Sequence, residues 1–206
     1  DYGTMRRHHE FWTSDNTDAC ERVFMQWGIG HLFPAISMAA HVTASPNHQT
    51  GRATPLKFRF DVAMSARLGF ELQPCDMTKE DAAFSKRALA EYKRIRPVVQ
   101  FGDLYRLSSP YESRVAALMY VHEKRAVVVA WLMDKWLADS PPPLRLKGLN
   151  PAARYLVREI NLDENGPLAN VHERVLGGDF LMNAGIRINW KNAFQSVCME
   201  VTETGS

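Results

Sequence analysis

Helical spacing dominates the first half of the chain. Asp18 is followed three residues later by Glu21, which is the spacing of a helix-capping box, and we expect a helix to begin there. The apolar residues of this helix fall on one face, and Gly28 is expected to end it. The members of that face are Ala19, Val23, Phe24 and Trp27.

Two further helices are predicted after a short apolar strand. The run 36–42 is apolar and rich in small residues, which predicts a buried strand. The Thr54-Pro55 pair is a helix-start signal, with threonine as the cap and proline at the first helical position, and Gly69 is expected to end that helix. The next start signal is Thr78, and the helix that follows it is expected to end at Pro97.

The second half, which begins near Asp103, has the pattern of β-strands. Residues 117–122 and 126–131 are apolar runs around a tight polar segment, and this arrangement predicts a hairpin. Clusters of glycine, proline and asparagine separate three further candidate strands: Leu144–Leu146, Tyr155–Ile160 and Ser196–Thr202. We therefore predict an all-β domain in this half, in the form of an antiparallel sandwich.

Composition places the chain among ordinary globular proteins. Its 206 residues are 46% hydrophobic and 23% charged, with a formal net charge of +2. This balance, without a long run of Lys and Arg, argues against nucleic-acid binding, and no apolar run has the roughly 20 residues of a membrane span. Three widely spaced cysteines form no metal-binding pair, so we interpret them as reduced thiols. No metal or other cofactor is expected.

The densest cluster of polar residues is 11–18, where an aromatic side chain precedes two carboxylates. The ring of Trp12 is suited to stack on a sugar, and a carboxyl group of Asp15 or Asp18 in a partly dry pocket can donate a proton. The alternative is that an aspartate only caps the helix while Trp12 belongs to the core, and spacing alone favours that alternative. The seven histidines lack the spacing of a zinc site, and we interpret them as structural or loop residues.

Several segments of the chain, including residues 12–19, resemble a known enzyme family. The stretch Trp12-Thr13-Ser14-Asp15-Asn16-Thr17-Asp18-Ala19 resembles the acid/base motif of glycoside hydrolase family 36, which includes bacterial and fungal α-galactosidases. Segments 39–43 and 46–52 are similar to the next strand and loop of that family. Further similar segments follow in the expected order, at the junction into its C-terminal domain and within that domain: 95–107, 146–149 and 178–185.

The resemblance implies a fold and a set of roles. The fold is a (β/α)₈ TIM barrel followed by a C-terminal antiparallel β-sandwich domain, with residues 1–102 as an incomplete portion of the barrel and residues 103–206 as the sandwich. The implied reaction is hydrolysis of terminal α-1,6-linked galactose with retention of configuration, in oligosaccharides such as melibiose and raffinose. Asp15 would be the catalytic general acid/base, and Trp12 and Asp15 would bind the substrate. Asp18 would remain a helix cap, and the full-length enzyme would be a homo-oligomer.

The chain also departs from the family. The family's nucleophile is an aspartate in a Lys-Trp-Asp strand, and no such strand occurs here. A complete barrel needs about 250 residues, whereas only about 100 precede the β domain. We therefore expect this chain to be the C-terminal part of a larger enzyme and to be inactive on its own. The strands of a partial barrel would expose apolar edges, so we expect the β domain to be the more autonomous unit.

The sequence also allows two other functions and does not determine the compartment. The first alternative is a galactosyl-transferring relative of the raffinose-synthase type. The second is a non-catalytic carbohydrate-binding module, with a sugar platform formed by Trp131, Trp136 and Trp190. The compartment is not determined by the sequence; we favour the cytoplasm over the periplasm or the cell exterior.

Overall fold

A parallel sheet lies in the first half of the chain and an antiparallel sheet in the second. The computed structural model describes residues 2–135 and 140–205. The elements of the first half are α1 (Tyr2–Met5), β1 (Phe11–Trp12), α2 (Ala19–Ile29), β2 (Met38–Thr43), α3 (Leu56–Met64), β3 (Arg67–Glu71) and α4 (Lys79–Phe101). Those of the second half are β4 (Asp103–Ser108), β5 (Val115–His122), β6 (Arg125–Leu132), β7 (Arg154–Ile160), β8 (Arg174–Gly177), α5 (Gly178–Asn183) and β9 (Ser196–Gly205). Among these helices, none is long and apolar enough to cross a membrane.

Side-chain caps determine where two of the helices begin. The Asp18 carboxylate accepts hydrogen bonds from the backbone N–H groups of Cys20 and Glu21, at 2.8 and 3.0 Å, and α2 follows directly. The Thr78 hydroxyl accepts one from the backbone N–H of Asp81 at 3.0 Å, and α4 follows. Both predicted starts are confirmed, because capping is a local interaction that a few neighbouring residues specify.

The predicted limits of α3 are wrong at both ends. Pro55, rather than Thr54, precedes the first helical residue, and no side chain caps the helix. The helix ends at Met64, and Gly69 lies instead in β3, a strand that the sequence pattern did not predict. A Cβ atom at position 69 would lie 2.7 Å from ring atoms of His41 on the neighbouring strand. Glycine therefore permits this close packing of a side chain on the sheet.

The prediction that Pro97 ends α4 is also wrong, because the helix continues to Phe101. Proline removes one backbone hydrogen bond from a helix interior. The last turns of α4, however, bury Ile95, Val98 and Val99, and burial of such side chains stabilises a fold by about 1.5–3 kcal/mol each. Tertiary packing outweighs the local cost of the proline.

The parallel sheet has strand order β1-β2-β3 and two different faces. Trp12 is in register with Ala39, and Ala39 lies on the same face of β2 as His41. The opposite face, with Ala40 and Val42, belongs to the apolar core that α2, α3 and α4 cover. Trp12 and His41 therefore lie on the face of the sheet opposite this core.

The antiparallel sheet has strand order β4-β5-β6-β9-β7-β8. β5 and β6 form the predicted hairpin, and β7 and β9 match two of the other predicted strands. Of the third predicted strand, only Leu144 makes a β-bridge, to Ile186, and a second isolated bridge joins Ala169 to Ile188. These bridged segments pack on one face of the sheet. In coarse form the predicted order, an α/β half and then an antiparallel β half, is confirmed.

One apolar core is shared by the two halves. The face of β5 and β6 that carries Leu118, Tyr120 and Val129 packs in the same cluster as Phe58 of α3 and Ile95 of α4. The other face of the sheet forms a second cluster beneath the bridged segments. The domain boundary at residues 102 and 103 stays a prediction, since side chains from both sides of it are buried together.

Candidate active site

Asp15 lies at the carboxyl edge of the parallel sheet. It is in the loop 13–18, which leads from β1 into α2, and its side chain is exposed. It accepts no hydrogen bond from any residue that the structure describes. In folds of parallel strands and helices, catalytic side chains lie at this edge, in the loops that follow the strands.

The loop around Asp15 is held by its own polar side chains. The backbone N–H of Asn16 donates to the hydroxyl of Ser14 at 3.1 Å, and the backbone N–H of Asp18 donates to the amide oxygen of Asn16 at 3.1 Å. Such short-range bonds compete with water for the backbone and give the loop a defined shape. The neighbours of Asp15 are therefore fixed while its own carboxylate faces solvent.

Asp18 joins this loop to the next one, which follows β2. Its side chain is only 1% exposed, and it accepts hydrogen bonds from Thr50 at 2.5 Å and from Nη1 of Arg52 at 2.6 Å. The hydroxyl of Thr43 also donates to the Thr17 carbonyl at 3.0 Å. Burial alone would raise the pKa of Asp18, but the hydrogen bonds from Thr50, the Glu21 N–H and Arg52 outweigh it and hold the pKa below its ordinary value. Asp18 is confirmed as a cap and is not free to exchange a proton with a substrate.

Replacing Asp18 by Ala is expected to reduce the free energy of unfolding by about 2 kcal/mol at pH 7, through loss of the cap and of the Thr50 and Arg52 contacts. Because the pKa of Asp18 is lowered by folding, its contribution is complete above the pKa of the unfolded chain, about 3.9, and is lost as the pH falls further. Urea unfolding of the wild-type chain and of Asp18→Ala at pH 7 and pH 3 measures this difference in the free energy of unfolding.

The matched control is Thr78→Ala, which removes an uncharged cap. It is expected to cost about 1 kcal/mol at both pH values. If the Asp18→Ala effect were equally independent of pH, the ionised carboxylate would not be the stabilising species.

Trp12 contacts His41 and Arg22, and no pattern in the sequence predicts either contact. Its side chain is 43% exposed, its ring centre lies 4.2 Å from that of His41, and the guanidinium carbon of Arg22 lies 5.5 Å from it. Arg22 is only 2% exposed, and burial lowers its pKa while the charges of Glu71 and Asp15 oppose that shift. One signal was available in the sequence: Arg22 is the only charged residue on the buried face of α2.

The tryptophans of the β domain do not form the predicted sugar platform in the part of the chain that the structure describes. Trp131 is 2% exposed and belongs to the core, whereas Trp190 is partly buried beside a groove of about 370 Å³. Trp136 lies outside the described residues. Trp131 is therefore excluded from any sugar-binding surface of the β domain.

Two family models match the chain in succession. The first, described as Melibiase, matches residues 1–102. The second, described as the glycosyl hydrolase family 36 C-terminal domain, matches residues 115–201. The chain belongs to glycoside hydrolase family 36. The predicted resemblance is thus confirmed.

Curated relatives in family 36 are α-galactosidases. The α-galactosidase AgaA of Geobacillus stearothermophilus is 39% identical over 197 residues, which are 94% of this chain and 25% of AgaA. The probable α-galactosidase G of Aspergillus terreus is 36% identical over 199 residues, 95% of this chain and 26% of that protein. The chain spans about a quarter of the length of the curated relatives it matches.

Solved structures of family 36 match the fold over almost the whole chain. The α-galactosidase AgaB of G. stearothermophilus has a TM-score of 0.87 at 36% identity and covers 99% of this chain, which spans 27% of that one. The α-galactosidase of Lactobacillus brevis has a TM-score of 0.85 at 32% identity and covers 100% of this chain, which spans 28% of that one. Variants of AgaA have been solved in complex with raffinose and with stachyose.

Proposed function

We propose that the chain is the acid/base-bearing part of a retaining α-galactosidase that removes terminal α-1,6-linked galactose from oligosaccharides such as melibiose and raffinose. The observation that carries this proposal is the difference between two aspartates three residues apart. Asp18 is buried and fully bonded, whereas Asp15 is exposed, unbonded within the described residues and located at the carboxyl edge of the sheet. Family membership and the complexes of AgaA with raffinose and stachyose support the choice of substrate.

In the proposed reaction Asp15 acts twice. In the first step a nucleophilic carboxylate, supplied by another part of the enzyme, attacks the anomeric carbon while Asp15 gives its proton to the departing glycosidic oxygen. In the second step ionised Asp15 takes a proton from water, whose oxygen attacks the same carbon and releases the nucleophile. The exposed position of Asp15 suits both steps, because each requires contact with substrate or water.

The parallel sheet and Trp12 have different roles in this proposal. The parallel sheet would be part of a (β/α)₈ barrel, and the first family model matches the residues that would form it. Trp12 would provide a surface for the galactose ring, since part of its indole is open at the same edge of the sheet. Homo-oligomerisation of the full-length enzyme stays a prediction.

The chain alone is expected to show no turnover of 4-nitrophenyl α-galactoside, because an acid/base without a nucleophile cannot form the covalent intermediate. A chimera tests the positive half of the proposal. In it, this chain replaces the quarter of AgaA that it matches, so that AgaA supplies the rest of the enzyme. We expect the chimera to hydrolyse nitrophenyl α-galactoside and raffinose.

Two results would contradict the proposal. One is turnover by the purified chain that Asp15→Asn abolishes, since it would show that the chain holds a complete catalytic site. The other is a folded but inactive chimera, since a compatible acid/base segment should restore activity. Product analysis of the active chimera, by the ratio of free galactose to transferred galactose, separates hydrolysis from galactosyl transfer.

A further inference from the structure

Arg22 is a buried cation without a hydrogen-bond partner among the described residues. Both of its terminal nitrogens are shielded from solvent and donate no hydrogen bond to the described residues. Burial lowers the pKa of Arg22, while the charges of Glu71 and Asp15 oppose that shift, and a guanidinium remains protonated in proteins. Burying a charge without a partner is costly, so this position requires a compensating contact.

Trp12 provides that contact. The guanidinium carbon of Arg22 lies 5.5 Å from the centre of the Trp12 ring, within the range of a cation–π interaction, which is strongest where the cation is desolvated. The contact therefore links a residue of α2 to the exposed aromatic side chain at the end of β1.

His41 contacts Trp12 as well and packs closely over Gly69. Its ring lies 4.2 Å from the Trp12 ring, at an interplanar angle of 39°. The absence of a side chain at Gly69 leaves the space that the His41 ring occupies. Burial and the nearby charge of Arg22 lower the pKa of His41, so the imidazole is neutral at pH 7 and adds no second cation to the cluster.

We propose that Arg22 is a positioning residue for substrate binding, which holds the indole of Trp12, together with His41, in the orientation that receives the galactose ring. This inference rests on the proposed function, because Trp12 matters to a substrate only if the sheet edge is a sugar site. Arg22 acts through Trp12 rather than by touching substrate. Its loss should weaken binding of the ground state and of the transition state alike, and therefore raise KM more than it lowers kcat.

The first measurement uses the 206-residue chain itself and needs no activity. The indole N–H resonance of Trp12 is assigned by its disappearance in Trp12→Phe and then followed in Arg22→Gln. We expect this resonance to shift and its ¹⁵N heteronuclear NOE to fall, since the indole becomes more mobile. The matched control is Arg67→Gln, which removes an arginine of strand β3 that is partly exposed and paired with Glu10 at 3.0 Å. The control should leave the resonance unchanged.

The second measurement uses the AgaA chimera. Arg22→Gln is expected to raise KM for raffinose by about tenfold and to lower kcat by less than about threefold. In a Trp12→Leu background the same substitution should have no further effect on KM, because the residue through which it acts is gone. Arg67→Gln should leave both constants unchanged.

The outcomes separate this inference from the proposed function. A folded, inactive chimera would defeat the proposed function, while a lower heteronuclear NOE of the Trp12 indole in Arg22→Gln would still show that Arg22 holds the ring. An active chimera in which Arg22→Gln changes neither the resonance nor KM would overturn the inference. If Arg22→Gln does not fold, Arg22→Met replaces it, since methionine keeps a long side chain but removes the cation. An unchanged Trp12 resonance and heteronuclear NOE in Arg22→Met would likewise overturn the inference.

Discussion

Replacing Asp15 by Asn in the AgaA chimera is expected to lower kcat/KM for raffinose by about 1,000-fold. Asparagine has nearly the same shape, so binding should change little, but it cannot give a proton to the departing oxygen. The loss should depend on the leaving group. α-Galactosyl fluoride needs no protonation, and its first step should slow by about tenfold or less.

Azide provides an independent test of the same role. In Asp15→Asn the second step lacks a base to activate water, so the galactosyl-enzyme should accumulate when the fluoride is the substrate. Azide needs no base and should restore turnover. Because it attacks from the face that water normally uses, the product should be α-galactosyl azide, which NMR identifies.

Asp18→Asn is the matched control for Asp15→Asn. The substitution is the same and lies three residues away, but Asp18 is a buried cap bonded to Arg52 and Thr50. We expect it to lower stability and to change raffinose and fluoride turnover by a similar factor. If Asp15→Asn slowed both substrates equally and azide gave no product, Asp15 would not be the acid/base.

Local signals in the sequence predict those features of the fold and of the site that depend only on residues close together in the chain. The caps at Asp18 and Thr78 and the turn of the β5–β6 hairpin each involve residues close in the chain, and all three are confirmed. The contrast between Asp15 and Asp18 was not available from spacing, because both fit a helix cap. It came from the resemblance to family 36, and the role of Asp15 stays a proposal.

Contacts between distant residues account for what the sequence did not predict. The sequence pattern does not predict β3, because its apolar pattern is weak and Gly69 is also a typical helix end. The His41 ring, which requires glycine at position 69, is 28 residues away in the chain. Pro97 does not end α4, because this helix packs against a sheet that follows it in sequence. The sequence shows Arg22 as a charged residue next to the apolar residues of α2, but only the structure shows that its guanidinium contacts the Trp12 ring.

Replacing Asp61 by Ala is expected to lower the free energy of unfolding by about 3–5 kcal/mol. Asp61 on α3 is fully buried and pairs with Lys57 at 2.6 Å. It also accepts hydrogen bonds from two residues of the second half, Asn161 at 2.6 Å and Ser196 at 2.7 Å. Burial alone would lower the pKa of Lys57, but the charge of Asp61 outweighs it and holds the pKa above its ordinary value. Removing Asp61 therefore leaves a buried ammonium ion without its partner.

Urea unfolding measures this loss, and two variants define its cause. Asp76→Ala removes an exposed aspartate and should change stability by less than about 0.5 kcal/mol. Lys57→Met in the Asp61→Ala background should recover part of the loss, since it removes the unpaired cation. A double variant no more stable than Asp61→Ala would show that the Asn161 and Ser196 contacts, rather than the ion pair, dominate.

The same substitution tests whether the β domain is the more autonomous unit, as the sequence predicts. Asp61 bonds α3 to both β9 and the end of β7, and the apolar core beneath it contains residues of both halves. Because these contacts are shared, we expect Asp61→Ala to weaken hydrogen-exchange protection in α3, β7 and β9 together. If only α3 lost protection while β7 and β9 kept it, the β domain would be an independent unit. The shared core would then contribute little to its stability.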